Sequence, residues 1–158
     1  MEQQQVERES LKEEMDTTVS EARMVIPGVQ SIFGFQTMAV FNNRFEQLPA
    51  SGVACYIAGL VLLAISIALL MAPAAYHRIV ERGRVSRHMT YLASRFISVG
   101  MVPLMVGLAL DVYVVCLAAL DDARMAAAAG VFALVLFAFF WFVFPLVQRS
   151  RRGALDGV

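Results

Sequence analysis

Hydrophobic and polar positions divide this chain into a polar beginning, four long apolar stretches and a basic end. The apolar stretches cover residues 24–42, 52–73, 93–120 and 125–147. Each is close to or above the length of about 20 residues that an α-helix needs to cross a bilayer. The pattern predicts an all-α protein: an integral membrane four-helix bundle over residues 24–147. An amphipathic, acidic helical segment (residues 1–23) precedes it, and a basic tail (residues 148–158) follows it.

The first apolar stretch differs from the others because two repeating stripes run along it. An apolar stripe with spacings of three and four residues passes through Leu11, Met15, Thr18, Ala22, Val25, Val29 and Ile32. This heptad rhythm predicts a packing face that continues from the N-terminal segment into the membrane. A second stripe, on roughly the opposite side, is polar or small almost throughout. We call it the polar stripe: Arg23, Pro27, Gln30, Gly34, Thr37, Phe41 and Arg44.

The other three apolar stretches carry different packing signals. Small residues recur along the second stretch: Ala54, Ala58, Ala64, Ala68, Ala72 and Ala75. Such a seam favours close contact between membrane helices, and Pro73 is expected to end or bend this helix. Residues of the third stretch share one face at spacings of three and four: Gly100, Pro103, Gly107 and Asp111. The fourth stretch carries aromatic residues on all sides, which is typical of a helix at the lipid boundary. We expect this helix to end at Pro145.

Composition and charge support a membrane protein and predict its orientation. Of the 158 residues, 59% are hydrophobic and 16% are charged, whereas soluble domains are about half apolar and about a quarter charged. Eleven of the 13 Lys and Arg residues lie in residues 1–23, 77–95 and 148–158, and the other two are Arg44 and Arg124. Because basic loops stay on the cytoplasmic side, both termini and the middle loop are expected to be cytoplasmic. The preference for Arg over Lys suggests a GC-rich bacterial genome, and therefore the bacterial inner membrane.

Three short segments resemble a known family. They are PGVQSIFGFQ in the first stretch, FNNRFEQL after it, and APAAYHR at the end of the second. The residues that carry the resemblance are Gly28, Val29, Gln30, Phe33, Phe35, Pro73, Tyr76, His77, Arg78 and Arg95. The chain is similar, over residues 21–149, to small four-span proteins of unknown function that occur in GC-rich actinobacteria. The resemblance implies the four-span architecture and supplies no activity.

The polar stripe is the first candidate site. Side-chain amides, hydroxyls and backbone exposed at a glycine can replace the water around an ion, so Gln30, Gly34 and Thr37 are candidates to line a pore if several copies assemble around the first span. The alternative is helix packing, because small and polar residues also mediate contacts between membrane helices. Both interpretations remain open at this point, and packing carries slightly more weight.

Charged groups at the outer side form a second candidate site. Asp111 is the acid that lies well inside an apolar stretch, where a carboxylate must be paired, protonated or hydrated. Pairing with Arg44 or Arg124 is the favoured interpretation, and coupling of its protonation to opening or transport is the alternative. Glu46 beside Arg44 is either part of a charged outer mouth or a solvated turn.

Basic residues at the predicted cytoplasmic side form a third candidate surface: His77, Arg78, Arg82, Arg84, Arg87 and Arg95. We expect them to contact anionic lipid headgroups or the acidic N-terminal segment. Two histidines without nearby Cys or acid ligands are a poor metal signature, so neither a metal nor another cofactor is expected. Cys55 and Cys116 lie near the outer ends of their spans, where packing as free thiols is favoured over a disulfide.

The sequence carries no hydrolase, phosphate-loop, zinc or dinucleotide motif, so an enzyme is not expected. The net charge of zero favours no nucleic-acid partner. Three function classes remain: a homo-oligomeric ion channel lined by the first span, a non-catalytic accessory or structural subunit of a larger membrane complex, and a small transporter. Transporters usually show internal repeats, and none is evident in this sequence. We therefore favour the channel, with the accessory subunit second.

Overall fold

The computed structural model describes residue 20 and residues 24–43, 45–79 and 87–155. In this part of the chain five α-helices follow one another: α1 (residues 24–39), α2 (Ala50–Ile79), α3 (Arg87–Leu120), α4 (Ala123–Ala138) and α5 (Phe144–Leu155). A 3-10 turn over Phe45–Gln47 precedes α2, and a π-helical segment over Phe139–Val143 joins α4 to α5. The described residues contain no strand, so the predicted all-α class is confirmed.

Three helical stretches are long and apolar enough to cross a membrane: Ala50–Tyr76, Tyr91–Leu120 and Ala123–Ser150. The shortest has 27 residues and is therefore about 40 Å long, more than the roughly 30 Å of a bilayer's hydrocarbon core. These stretches indicate a membrane protein. Helix α1 is about 24 Å long over its described residues, so the fourth span and the four-helix bundle stay predictions. The acidic segment lies outside the described residues, except for residue 20.

The apolar helices do not end at their prolines. The expected end at Pro145 is wrong, and at Pro73, where an end or a bend was expected, the helix does not end. Helix α2 continues through Pro73 to Ile79, and α3 contains Pro103. At Pro145 the helix also continues, but the π-helical segment comes directly before it, and Phe144 N–H donates to the Phe139 carbonyl. Proline cannot donate to the carbonyl four residues earlier, and its ring clashes with that carbonyl. A local switch to bonds between residues five apart accommodates this loss without breaking the helix.

The described chain divides into two compact units, one within Met1–Met38 and Leu63–Pro103 and the other within Ala39–Leu62 and Leu104–Val158. The division falls inside α2 and α3, so each of these helices contributes to both units. In the first unit, α2 and α3 meet at Ser66 and Gly100. The fully buried Ser66 hydroxyl donates to the Gly100 carbonyl over 2.9 Å. A Cβ atom at Gly100 would lie 3.2 Å from the Leu69 Cβ, so the two helices are close.

In the second unit, α3 and α4 form a tight hairpin. A Cβ atom at Gly130 would lie 3.0 Å from the Tyr113 Cβ and 3.2 Å from the Ala109 carbonyl oxygen. Ala126 and Ala133, about one turn to either side of Gly130, are also buried. Small side chains at spacings of four and three allow two membrane helices to approach at backbone distance. The hairpin therefore depends on these residues having little or no side chain.

The turn between α3 and α4 uses both of its aspartates. Asp121 has a positive φ of 53°, a conformation that Asp tolerates better than most residues, and its N–H donates to the Leu117 carbonyl. Asp122 is the N-cap of α4, and its Oδ1 accepts from the backbone N–H groups of Arg124 (2.8 Å) and Met125 (3.3 Å). Backbone N–H groups at the start of α4 and a backbone carbonyl at the end of α3 are thus hydrogen-bonded by the two residues of the turn.

The predicted alanine seam of α2 does not lie in the interior of this chain. Five of its six members are exposed: Ala54, Ala58, Ala64, Ala68 and Ala75. The buried side of α2 instead follows a separate heptad rhythm: Gly52, Tyr56, Gly59, Leu63, Ser66 and Leu70. Alanine is apolar enough for either environment, so its periodicity alone does not choose between the interior and the membrane-facing surface.

Candidate functional site

Helix α1 buries only a narrow face. Its buried and half-buried positions are spaced three and four residues apart: Ile26, Val29, Phe33 and Gln36. The buried face of α1 therefore has the heptad rhythm that the sequence predicts, but it runs through different residues. Of the described members of the predicted apolar stripe, Val29 is buried, whereas Val25 and Ile32 are exposed. Most side chains from residue 24 to 41 are apolar or small, so several faces of this helix suit packing and the rhythm alone does not choose one.

The described members of the polar stripe are all exposed: Pro27, Gln30, Gly34, Thr37 and Phe41. Phe41 is 82% exposed, and a Cβ atom at Gly34 would meet no atom within 4 Å. The described part of the stripe is therefore accessible in the single chain. Arg23 and Arg44, its two charged ends, lie outside the described residues.

The hydroxyl groups of α1 are bound to the helix itself. Thr37 Oγ1 donates to the Phe33 carbonyl, and Ser31 Oγ donates to the Pro27 carbonyl, each over 2.9 Å. A hydroxyl that has given its proton to its own helix still offers oxygen lone pairs to a neighbour. On this exposed face, Thr37 is therefore available as an acceptor for water or a cation.

Asp111 is directed into the protein. It is half-buried, its Oδ2 atom is buried, and the residues one turn before and after it, Gly107 and Val114, are buried as well. Ala109 and Tyr113, which contact Gly130 of α4, point about 160° away from Asp111 in an ideal helix. The carboxyl group thus lies on the side of α3 that faces away from α4.

Tyr56 on α2 lies within electrostatic reach of Asp111. Tyr56 is only 5% exposed. Its ring also meets the Phe45 ring edge-on, with centroids 4.9 Å apart and planes at 71°. Phe45 lies in the 3-10 turn before α2, so one phenol contacts this turn and lies within electrostatic reach of the carboxyl group on α3.

The pairing of Asp111 with an arginine stays a prediction. Arg44 lies outside the described residues, and Arg124 is an exposed residue at the start of α4. Glu46 is exposed within the 3-10 turn. Cys55 and Cys116 are half-buried free thiols.

Part of the predicted cytoplasmic surface is described. Arg78 and Arg95 are exposed, and Arg95 Nη1 donates to the Tyr91 hydroxyl over 3.5 Å. His77 lies in α2, and Arg87 is the first residue of α3. Arg82 and Arg84 lie outside the described residues. Within the described ranges, no three His, Cys, Asp or Glu side chains are grouped so as to hold a metal ion.

Sequence reasoning missed three buried polar residues: Gln36, Tyr56 and Ser66. Tyr56 and Ser66 belong to the heptad rhythm of α2, and Gln36 ends the buried face of α1. A polar residue at a core position of an otherwise apolar stripe was the signal that would have found them. The alanine seam and the polar stripe are the more regular patterns of these two helices, and neither contains these three residues.

Comparison with known proteins places the chain without assigning an activity. No curated protein and no solved structure matches it. A family of unknown function, DUF6328, matches residues 4–145. The expected relationship to an uncharacterised family is therefore confirmed. On this match, which covers most of its length, the chain belongs to the DUF6328 family.

Proposed function

We propose that this protein assembles into a homo-oligomer in which copies of α1 surround an ion pathway lined by the polar stripe. The observation that carries the proposal is the exposure of all the described stripe residues, from Pro27 to Phe41, beside the narrow buried face of α1. Polar groups on a lipid-facing surface are costly. A ring of copies removes this cost because the stripes then face one another across water.

The chemistry of the stripe suits a pathway for small ions. Gln30 offers an amide group, Thr37 offers hydroxyl lone pairs, and Gly34 between them leaves the backbone open. The two polar side chains are seven residues apart, or about 10.5 Å along the helix axis. They would therefore form two separate rings of oxygen ligands, an arrangement that allows an ion to bind and then leave.

The second candidate function is a non-catalytic accessory subunit of a larger membrane complex. The exposed alanine seam of α2 favours it, since small residues let a helix of another protein approach closely. In that arrangement the polar stripe would pack against the partner and would conduct nothing. Neither function uses a catalytic group or a cofactor.

The surroundings that we propose are a bacterial inner membrane with both termini in the cytoplasm. Arg78 and Arg95 are exposed near the ends of α2 and α3 that this orientation places at the cytoplasmic face, and Tyr91 is hydrogen-bonded to Arg95. Arginine and tyrosine are suited to the headgroup region. Anionic lipids are the partners that this surface would attract.

The test is ion flux through the purified full-length protein in liposomes. We expect Gln30→Leu and Thr37→Val each to reduce flux several-fold, because each removes an oxygen ligand from the stripe. Ser31→Ala is the matched control. Ser31 is exposed and bonded to its own helix like Thr37, but it points about 100° away from Gln30, so its loss should leave flux unchanged.

The mass of the particle in nanodiscs separates the two candidate functions. A homo-oligomer whose flux falls in both stripe variants supports the channel. A monomer, or flux that is equal in the wild type and both variants, refutes it. Co-purification of a different membrane protein, together with no flux from the isolated chain, supports the accessory subunit.

A further inference from the structure

The first half of α3 has one exposed face that changes from polar to apolar along the helix. Tyr91, Arg95, Ser98 and Val102 are spaced four, three and four residues apart, and all are exposed. In an ideal helix they point within about 60° of one another, whereas Gly100, which packs on α2, points about 180° away from Tyr91. The exposed face therefore lies opposite the contact between the two helices, within the first compact unit.

The polar end of this face can donate hydrogen bonds to an anion. Arg95 is the charged residue between Tyr91 and Val102, and its Nη1 donates to the Tyr91 hydroxyl over 3.5 Å. A guanidinium carries five N–H donors, and a phenol that accepts a hydrogen bond can still donate its own O–H. Arginine also matches the oxygen atoms of a phosphate with two parallel bonds. This positive, donor-rich pair therefore suits a phosphate group.

The length of the apolar stretch sets the depth of each residue in a bilayer. Tyr91–Leu120 has 30 residues and is about 45 Å long, compared with about 30 Å for the hydrocarbon core. If the stretch is centred, about five residues extend beyond the core at each end. Tyr91 and Arg95 then lie at the level of the headgroups, and Val102 lies about 9 Å inside the hydrocarbon.

We propose that this exposed face of α3 binds one anionic phospholipid. The phosphate oxygens accept hydrogen bonds from Arg95 and Tyr91, and an acyl chain lies along the exposed side chains of Val99 and Val102. The order of polar and apolar residues on the face matches the order of headgroup and chain in the lipid. The positive charge of Arg95 complements the negative charge of the phosphate.

This proposal assigns a defined site to the headgroup surface proposed above, where Arg78 and Arg95 attract anionic lipid in general. A general attraction depends on net charge and is insensitive to which arginine supplies it. A site depends on the position of Arg95 and on the geometry of its hydrogen bonds. The lipid site uses no residue of the polar stripe, so it does not depend on the ion pathway.

The test is lipid binding to the full-length protein, measured by native mass spectrometry in detergent with phosphatidylglycerol or phosphatidylcholine of identical chains. Loss of hydrogen bonds to a charged group corresponds to a factor of about ten or more in affinity. We expect the anionic lipid to bind about tenfold more tightly than the zwitterionic one. Soluble glycerophosphoglycerol, which has the headgroup without the chains, should not displace it at equal concentration.

Three arginine variants locate the site. Arg95→Gln should weaken phosphatidylglycerol binding about tenfold, whereas Arg95→Lys, which keeps the charge but loses the paired bonds, should weaken it less. Arg149→Gln is the control. Arg149 is exposed in the basic tail that we predict on the same side of the membrane, so this variant removes the same charge and should leave the affinity unchanged.

Equal binding of the two lipids by the wild type would refute an anionic lipid site on α3. Equal losses in Arg95→Gln and Arg149→Gln would also refute it and leave only the general attraction of the surface. Wild-type affinity in Arg95→Lys would refute the paired hydrogen bonds, and displacement by glycerophosphoglycerol would refute the contribution of the chains. None of these results depends on ion flux, so the lipid site and the pore can fail independently.

Discussion

The contact between α3 and α4 predicts that Gly130 does not tolerate even a methyl group. A Cβ atom there would lie 3.0 Å from the Tyr113 Cβ and 3.2 Å from the Ala109 carbonyl oxygen. Carbon atoms attract best at about 3.5–4.0 Å, so the helices must separate locally by about 0.5–1 Å. Both obstructing atoms belong to or adjoin the backbone of α3, so a side-chain rotation cannot relieve the clash. Overpacking of this kind costs about 1–3 kcal/mol.

The matched variant is Gly28→Ala, at a glycine whose added Cβ would meet no atom within 4 Å. Both substitutions gain the advantage of Ala over Gly in a helix, about 1 kcal/mol, so this gain largely cancels in the comparison. We expect Gly130→Ala to be less stable than Gly28→Ala by about 1–3 kcal/mol. The measurement is the free energy of unfolding in mixed detergent micelles at increasing denaturing detergent. Equal stability of the two variants would show that α3 and α4 do not meet at this distance.

Two further predictions concern hydrogen bonds of the fold. Ser66→Ala should lower the free energy of unfolding by about 0.6–1.7 kcal/mol, the range for hydrogen bonds between membrane helices. Ser98→Ala, whose hydroxyl donates to its own helix at Ser94, should change it little, and similar losses in both variants would contradict the role of Ser66. Asp122→Ala should cost about 0.5–2 kcal/mol because α4 loses its N-cap, whereas Asp122→Asn should retain most of the stability. Thermal unfolding of the four purified variants distinguishes these outcomes, and a loss in Asp122→Asn equal to that in Asp122→Ala would argue against capping.

The long apolar helices were predictable from the sequence because length and hydropathy decide whether a segment can cross a bilayer. Ala50–Tyr76, Tyr91–Leu120 and Ala123–Ser150 are apolar over nearly their whole length. Their ends were less predictable, since Pro145 was expected to end its helix and Pro73 to end or bend its own. In both places the helix continues, because a membrane helix has no water with which to satisfy a freed backbone and so tends to keep its hydrogen bonds.

Composition indicated the surroundings of the fourth apolar stretch but not its local backbone geometry. Its aromatic residues on all sides indicated a helix at the lipid boundary. In Ala123–Ser150 only 11% of the most apolar part is buried, against 28% in each of the other two stretches. Local sequence did not indicate the π-helical segment over Phe139–Val143, which depends on how the helix accommodates Pro145 in three dimensions.

Sequence alone determined that this is an all-helical membrane protein, and it identified the polar stripe and Asp111 as unusual. Which helix faces are buried was decided only by the tertiary structure. In an apolar helix the alanine seam, the heptad rhythm and the polar stripe all suit packing, so periodicity does not select among them. The choice depends on where helices can approach closely, as at Gly100 and Gly130. The proximity of Tyr56 to Asp111 likewise arises between residues of two different helices, a relation that the pattern of either helix cannot contain.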